Sequence, residues 1–289
     1  MTSASCINKL ESYGIDIAQL ENLISHAFAE DMPEGDDKTT LATIDAKKTS
    51  KAFMRARKDG VVAGTCVAAL VFEKLGITSI TYEKECGQEV KAGEIILVIE
   101  GNTRDILRSE RIALNFISHL SGIATLTKKW VDAIEGTGAK IRDTRKTTPG
   151  MRQLEKFAVR MGGGLNHRMN LSDGAIIKDN HIAASGSITE AVARVRKEFP
   201  GMELEVEVDN LEQLKEALTA KAEIVLLDNM SVELTKQAVE ITKGTNTKLE
   251  SSGGLTIENA RAYASTGVTY LAVGALTHSA PILDIGLDF

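Results

Sequence analysis

The hydrophobic period changes near residue 139. Ahead of it, Ile17, Leu20, Ile24 and Phe28 recur at three- and four-residue intervals, which predicts a helix over Ile15 to Phe28. Glu30 to Asp37 is a turn-rich acidic loop. Residues 52–71 read as a strand, a turn at Asp59-Gly60 and a second apolar run. Residues 104–135 are helical in pattern with a break expected near Gly122, and a domain boundary falls inside this stretch.

Beyond 139 the texture becomes strand and helix in alternation. Strands are expected at Ala139–Asp143, Ala175–Lys178, Glu203–Val208, Glu223–Leu227, Thr247–Glu250 and Tyr270–Val273. Ser187 to Glu190 has the form of a capping box, and Asn210, Ser231 and Thr256 stand where helix N-caps belong. Units recurring in this way give either a β/α barrel or a doubly wound sheet. The run Glu203-Leu204-Glu205-Val206-Glu207-Val208 decides between them. Its period of two sets three glutamates on one face. An open sheet with helices on both faces would bury all three, whereas a barrel can turn them toward a wet mouth. Asp143, Lys178, Glu207, Asp228 and Glu250 end successive strands, where barrel enzymes hold their chemistry. With six strands recognised, an incomplete barrel is expected.

Residues 87–101 place Gly87, Val90, Gly93, Ile96 and Ile99 at even spacing. This resembles the barrel-sandwich fold of lipoyl and biotinyl carriers, with a plain hairpin as the alternative. A carrier would need a modifiable lysine at a hairpin apex, and Lys91 lacks the flanks for it.

Composition narrows the function. Of 289 residues 43% are hydrophobic and 26% charged, enough for a large core and a second domain. Only 4% are aromatic and the net charge is -6, which disfavours nucleic acid and anionic membrane as partners. Between Arg142 and His181, however, eight Lys/Arg face four Asp/Glu, so an anionic ligand is expected there. Cys6, Cys66 and Cys86 are widely spaced and form no metal or disulfide framework, as in a reduced, cytoplasmic protein. The first 25 residues hold no apolar run, so no signal peptide is expected, and no stretch is long enough to span a membrane.

Four segments carry candidate chemistry. Asp143-Thr144-Arg145-Lys146-Thr147-Thr148-Pro149-Gly150 offers an Arg fork and a Lys point charge after a strand, with Pro149 placed to start a helix. Gly162-Gly163-Gly164 would allow close backbone approach to a ligand beside His167 and Arg168. Lys178 follows an apolar strand and points into a barrel mouth, while Glu207 and Asp228 suit a magnesium–pyrophosphate chelate or acid–base work. Ser251 to Thr256, and Val273, Gly274 and Ala275, are small-residue loops of the kind that cradle phosphate.

Together DTRKTTPG (143–150), EKFAVRMGGGLNHR (155–168), IIKDNH (176–181), EVEVD (205–209), LLDN (226–229), LESSGGLT (249–256) and YLAVGALTHS (270–279) resemble quinolinate phosphoribosyltransferase. The resemblance runs from about Glu30 to Phe289. It implies an N-terminal α/β sandwich domain (1–115, joined by 276–289), and an incomplete α/β barrel of the type II phosphoribosyltransferases (116–275). It implies transfer of phosphoribose from phosphoribosyl pyrophosphate to quinolinate, with magnesium carried by the pyrophosphate rather than held at a dedicated site. It also implies a homodimer with a shared active site, with further assembly to a hexamer open. By motif, Arg111 reaches the quinolinate carboxylates from the partner subunit. Thr144, Arg145, His167 and Arg168 line the same pocket, and Lys146 and Lys178 face carboxylate and phosphate. Glu207 and Asp228 take the ribose hydroxyls and pyrophosphate, and Ser252, Gly253, Gly254, Val273, Gly274 and Ala275 take the 5′-phosphate. A phosphoribosyltransferase for nicotinate or another heterocyclic acid is the nearest rival, and a non-catalytic carrier a remote one.

Overall fold

The computed structural model describes residues 3–289. Helices α1 (Ser3–Ser12), α2 (Ile17–Asp31) and α3 (Lys38–Thr43) open the chain. Strands β1 (Thr49–Ala56) and β2 (Gly60–Val61), helix α4 (Thr65–Glu73), strands β3 (Ser79–Tyr82), β4 (Glu89–Val90) and β5 (Ile95–Asn102), and the 31-residue helix α5 (Thr103–Ala133) follow. Then come β6 (Lys140–Arg142), α6 (Arg152–Met161), β7 (Ala175–Ile177), α7 (Asp179–Ser185) and α8 (Ile188–Glu198). The chain continues through β8 (Leu204–Val208), α9 (Leu211–Thr219), β9 (Ile224–Asp228), α10 (Val232–Thr242) and β10 (Lys248–Ser252). It ends with α11 (Ile257–Ala264), β11 (Tyr270–Ala272), α12 (Ala275–His278) and β12 (Ile285–Asp288).

Two compact units result. The first takes the chain up to Lys128 together with Thr147–Gly163 and Leu276–Phe289; the second takes Lys129–Lys146 and Gly164–Ala275. The division by compactness thus falls inside α5 at 128/129, later than 115/116, and gives α6 to the first unit.

In the first unit β12, β1, β5 and β3 form one antiparallel sheet, and β2 and β4 form a two-stranded one. Strand β1 turns Ala52, Met54 and Ala56 inward at every second residue, and β5 buries Ile96 to Ile99 without a break. Residues 87–101 are therefore not a simple hairpin. Strand β4 pairs with β2 while β5 pairs with β1 and β3. Helix α2 begins at Ile17 because Asp16 accepts from Gln19 N at 3.1 Å, and it buries Leu20, Ile24 and Phe28.

Helix α5 runs through Gly122 without the expected break. A Cβ there would lie 2.2 Å from Pro281 O, so the glycine gives room to the C-terminal segment, whose Leu283 N reaches Ser118 O. Gly162 serves similarly: its Cβ would lie 2.3 Å from Ala124 O, so the tight approach is to α5 and not to a ligand. Pro149 does not start α6. It lies in a turn with Gly150 at φ +81°, and the helix begins three residues later at Arg152.

The second unit is a six-stranded parallel sheet in the order β6-β11-β10-β9-β8-β7. The edge strands β6 and β7 are not paired to each other, so the barrel is open. All six expected strands are present, each end within two residues of the expected one. Asn210, Ser231 and Thr256 cap α9, α10 and α11, the last with a reciprocal bond from Thr256 N to Asn259 Oδ1. Ser187 caps α8, but the Glu190 carboxylate binds Arg194 within the helix, so only half of that capping box is made.

Candidate active site

Residues paired across parallel strands share a face, and residues two apart on a strand share it too. Glu207 registers with Leu226, Leu226 with Glu250, Glu250 with Tyr270 and Tyr270 with Lys140. One step nearer the C-terminal ends, Asp228 registers with Ser252, Ser252 with Ala272 and Ala272 with Arg142. Because Ile176 registers with Glu205, Lys178 falls on this face by parity. A single sheet face therefore presents Arg142, Lys178, Glu205, Glu207, Asp228, Glu250 and Ser252.

At the C-terminal rim of that face the side chains are accessible. Lys178 Nζ forms a short ion pair with Glu207, the lysine side chain being 46% exposed and the glutamate 16%. Asp228 is half-buried, and one of its oxygens accepts from Asn229 Nδ2 at 2.8 Å. Asn229 itself has φ +52°, held by its N–H on Ser252 O at 2.9 Å. Gly253 sits at φ +83° with its missing Cβ 2.2 Å from Asn229 Oδ1, so any other residue would displace the asparagine beside Asp228. Gly254, at φ +61°, has open space around it. Val273 is buried and its N–H bonds Arg142 O, while Gly274 and Ala275 are half-buried at the start of α12. Lys146 is exposed, and its backbone N–H is held by Thr144 Oγ1 at 3.0 Å.

On the same face lies a closed, buried polar cluster, although Glu205 and Glu250 were expected at a wet mouth. Glu205 and Glu250 are buried, as is Arg142. Arg142 Nη1 donates to Glu250 Oε2 at 2.6 Å, its guanidinium stacking 4.5 Å from the Tyr270 ring centre. His167 Nε2 lies 2.9 Å from Glu205 Oε2 and 3.7 Å from Glu250 Oε1. His167 Nδ1 accepts from Arg168 N at 2.6 Å, so the ring proton is on Nε2, toward Glu205. Burial first, and the Glu205 charge second, push the Glu250 carboxyl up to about 7. Donor atoms of His167, Glu205 and Glu250 converge closely enough to hold a metal ion. Here that negative charge is met by Arg142 and the His167 N–H instead. Asp143, fully buried, closes the arrangement by accepting from His167 N and Asn166 Nδ2.

A cavity of about 380 Å³ opens beside this cluster, lined by Arg142, Asn166, His167, Arg168, Gly174 and Glu205. Gly174, Glu203 and Ile224 of its wall lie at the N-terminal ends of β7, β8 and β9. Arg168 Nη1 donates to Gly174 O at 2.6 Å. Burial, and then the charge of Arg145, depress the Arg168 guanidinium below its ordinary value. The structure thus brings Lys178, Glu207, Asp228 and Ser252 to the rim and holds His167 and Arg168 against this second cavity. Fourteen of the fifteen expected site residues lie in the second unit. Arg111 is exposed on α5 in the first, on a cavity of about 320 Å³ with Glu30, Asp31, Asn115 and His119. In that unit the fully buried Glu155, which opens the 155–168 motif but was given no role there, accepts from Thr148 N and lies 2.9 Å from His119 Nε2.

The description of the quinolinate phosphoribosyl transferase C-terminal domain fits residues 123–288, and that of its N-terminal domain fits residues 37–121. This chain belongs to that family. Among its relatives, the nicotinate-nucleotide pyrophosphorylase [carboxylating] of Mycobacterium leprae is 50% identical over 92% of this chain and 95% of its own. A probable enzyme of the same name from Bacillus subtilis is 42% identical over 93% of each. The solved nicotinate-nucleotide pyrophosphorylase of Francisella tularensis superposes with a TM-score of 0.91 at 39% identity, covering 95% of this chain and 97% of that one. The open sheet and separate antiparallel unit are thus the quinolinate phosphoribosyltransferase fold.

Proposed function

We propose that this chain transfers the phosphoribosyl group of phosphoribosyl pyrophosphate to quinolinate, releasing pyrophosphate and carbon dioxide and forming nicotinate mononucleotide. The relatives' names, carboxylating nicotinate-nucleotide pyrophosphorylase, carry the same reaction. The observation that bears most weight is the rim itself: Lys178, Glu207, Asp228 and Ser252 share one face at the C-terminal ends of successive parallel strands, the position at which barrel enzymes bind substrate.

In this reading Ser252, Gly253, Gly254, Val273, Gly274 and Ala275 hold the 5′-phosphate, and Glu207 and Asp228 accept from the ribose hydroxyls. As pyrophosphate departs, C1 of the ribose gains positive charge, which the two carboxylates stabilise. The pyridine nitrogen attacks the opposite face of C1. The carboxylate next to the now cationic nitrogen leaves as carbon dioxide; the electron pair stays on that ring carbon, stabilised by the adjacent cationic nitrogen, and the carbon then takes a proton from water. Lys146 and Lys178 hold anionic oxygens, and the Lys178–Glu207 pair must open to admit them.

Glu207 and Asp228 are oxygen donors too few for a dedicated cage, which fits a magnesium ion that arrives with the pyrophosphate. Such an ion would neutralise charge on the leaving group. Arg145 and Arg168 repel each other, so a diacid that sat against both would relieve them, and a monoacid would leave one uncompensated. Turning Arg168 from Gly174 O toward the acceptor is part of the proposal.

Arg111, exposed on the first unit, would serve a partner subunit in a homodimer, with hexamers open. Mixing inactive Arg111→Ala with inactive Lys178→Ala should then recover part of the activity once subunits exchange. A cytoplasmic location belongs to the same reading; among the described residues no helix is long and apolar enough to cross a membrane. The direct test compares pyrophosphate and carbon dioxide release with quinolinate, with nicotinate and without acceptor. Stoichiometric release of both from quinolinate alone is expected. Equal turnover of nicotinate would favour the nicotinate enzyme instead.

A further inference from the structure

Cys6 and Cys66 stand sixty residues apart in the chain, yet their sulfur atoms lie 2.9 Å from each other. Cys6 belongs to α1 and Cys66 to the first turn of α4, and both are buried, at 0% and 2% exposure. The Tyr82 hydroxyl on β3 lies 2.9 Å from the Cys6 sulfur. Neither thiol is among the residues assigned to phosphoribosyl transfer. The wide sequence spacing that argued against a framework conceals a pair that α1 and α4 bring together by packing on each other.

We propose that Cys6 and Cys66 form a thiol–disulfide site, oxidised by hydrogen peroxide, that fastens α1 to α4. A disulfide has its sulfurs about 2.05 Å apart, so closure asks for a movement of about 0.9 Å. The hydrogen between the sulfurs can sit on either one. The contacts with Cys66 and then Tyr82 draw the Cys6 thiol down to about 7 against the opposing effect of burial. The same contact, with burial, pushes the Cys66 thiol up. Cys6 is thus the nucleophile and Cys66 the resolving thiol.

The Cys6 thiolate attacks one oxygen of peroxide, the O–O bond breaks, and hydroxide leaves as water after taking a proton. The Cys6 sulfenic acid is then attacked by the Cys66 sulfur. The S–S bond forms, the S–O bond breaks, and the departing hydroxide takes the Cys66 proton. Overall two thiols and one peroxide give one disulfide and two waters, with two electrons passing from sulfur to oxygen. Local opening of α1 from α4 would give this small oxidant access to the buried pair. Cys86 is the competitor: it is half-buried, with its sulfur 3.3 Å from Gly64 N and 3.2 Å from Thr65 Oγ1.

Treating the native protein with hydrogen peroxide should lower the free thiols of these 289 residues from three to one. The intact mass should fall by two hydrogen atoms, peptide mapping should join Cys6 to Cys66, and dithiothreitol should reverse both changes. Closing this loop should raise the thermal midpoint of the wild type by several degrees. Cys6→Ser and Cys66→Ser should show no such rise. Three thiols surviving in the native state, a Cys66–Cys86 bridge, or oxygen added at Cys86 alone would each overturn the assignment. The mass and mapping are read on the wild type, so the outcome does not depend on either variant folding.

Discussion

Glu205 and Glu207 are two residues apart on β8 and point the same way, yet they live in different surroundings. Glu205 is 3% exposed and bound to the His167 ring, in a cluster completed by Glu250 and Arg142. Glu207 stands one layer nearer the C-terminal rim, paired with a lysine whose side chain is nearly half exposed. Below the rim, each charge has a fixed partner that water cannot replace, and losing one strands the others in a low dielectric. At the rim, the Lys178–Glu207 pair can open at small cost, because exposed ion pairs contribute little. Polarity on the inner face of a barrel therefore does not mark a site by itself. Burial separates the residues that hold the barrel from those left accessible at its rim.

The largest expected effect breaks the buried cluster. Glu250→Ala leaves Arg142 without its buried partner and should lower unfolding stability by about 3–5 kcal/mol, measured by urea titration. At the rim, Asp228→Asn should leave stability within about 1 kcal/mol while lowering kcat by about a hundredfold, as loss of one transition-state contact does. Steady-state kinetics beside the same urea titration checks both halves. A smaller effect is a dependence on pH. The Glu250 carboxyl titrates near 4.5 when unfolded and is pushed up to about 7 when folded. The folded state then binds more protons between those values, so this group makes stability fall as pH rises from about 4.5 to about 7. Glu250→Gln should flatten that part of the pH–stability curve, and an unchanged slope would assign it to another group.

Much of this arrangement could be read from the residues. The six parallel strands, the caps at Asn210, Ser231 and Thr256 and the rim residues Lys178, Glu207 and Asp228 all follow from local pattern, since period and strand ends are properties of short segments. What was misread depends on contacts distant in sequence. Gly122 looked like a break because nothing local announces the C-terminal segment that passes over it. Gly162 looked like a ligand loop for the same reason, its neighbour being α5. The period of two put Glu205 and Glu207 correctly on one face but is blind to depth, so both were assigned to the mouth. Cys6 and Cys66 meet only because α1 folds onto α4.

The account rests on the contrast between those two glutamates, and one paired measurement tests it: kcat and unfolding free energy for Glu205→Gln and Glu207→Gln in the same buffer. The expected result is a loss of at least about a hundredfold in kcat for Glu207→Gln with stability within about 1 kcal/mol of the wild type. Glu205→Gln should instead lose stability, by about 1–3 kcal/mol, with kcat per folded molecule within about tenfold. Equal losses of both kinds in the two variants, or the reverse pattern, would contradict the division between a binding rim and a structural layer beneath it.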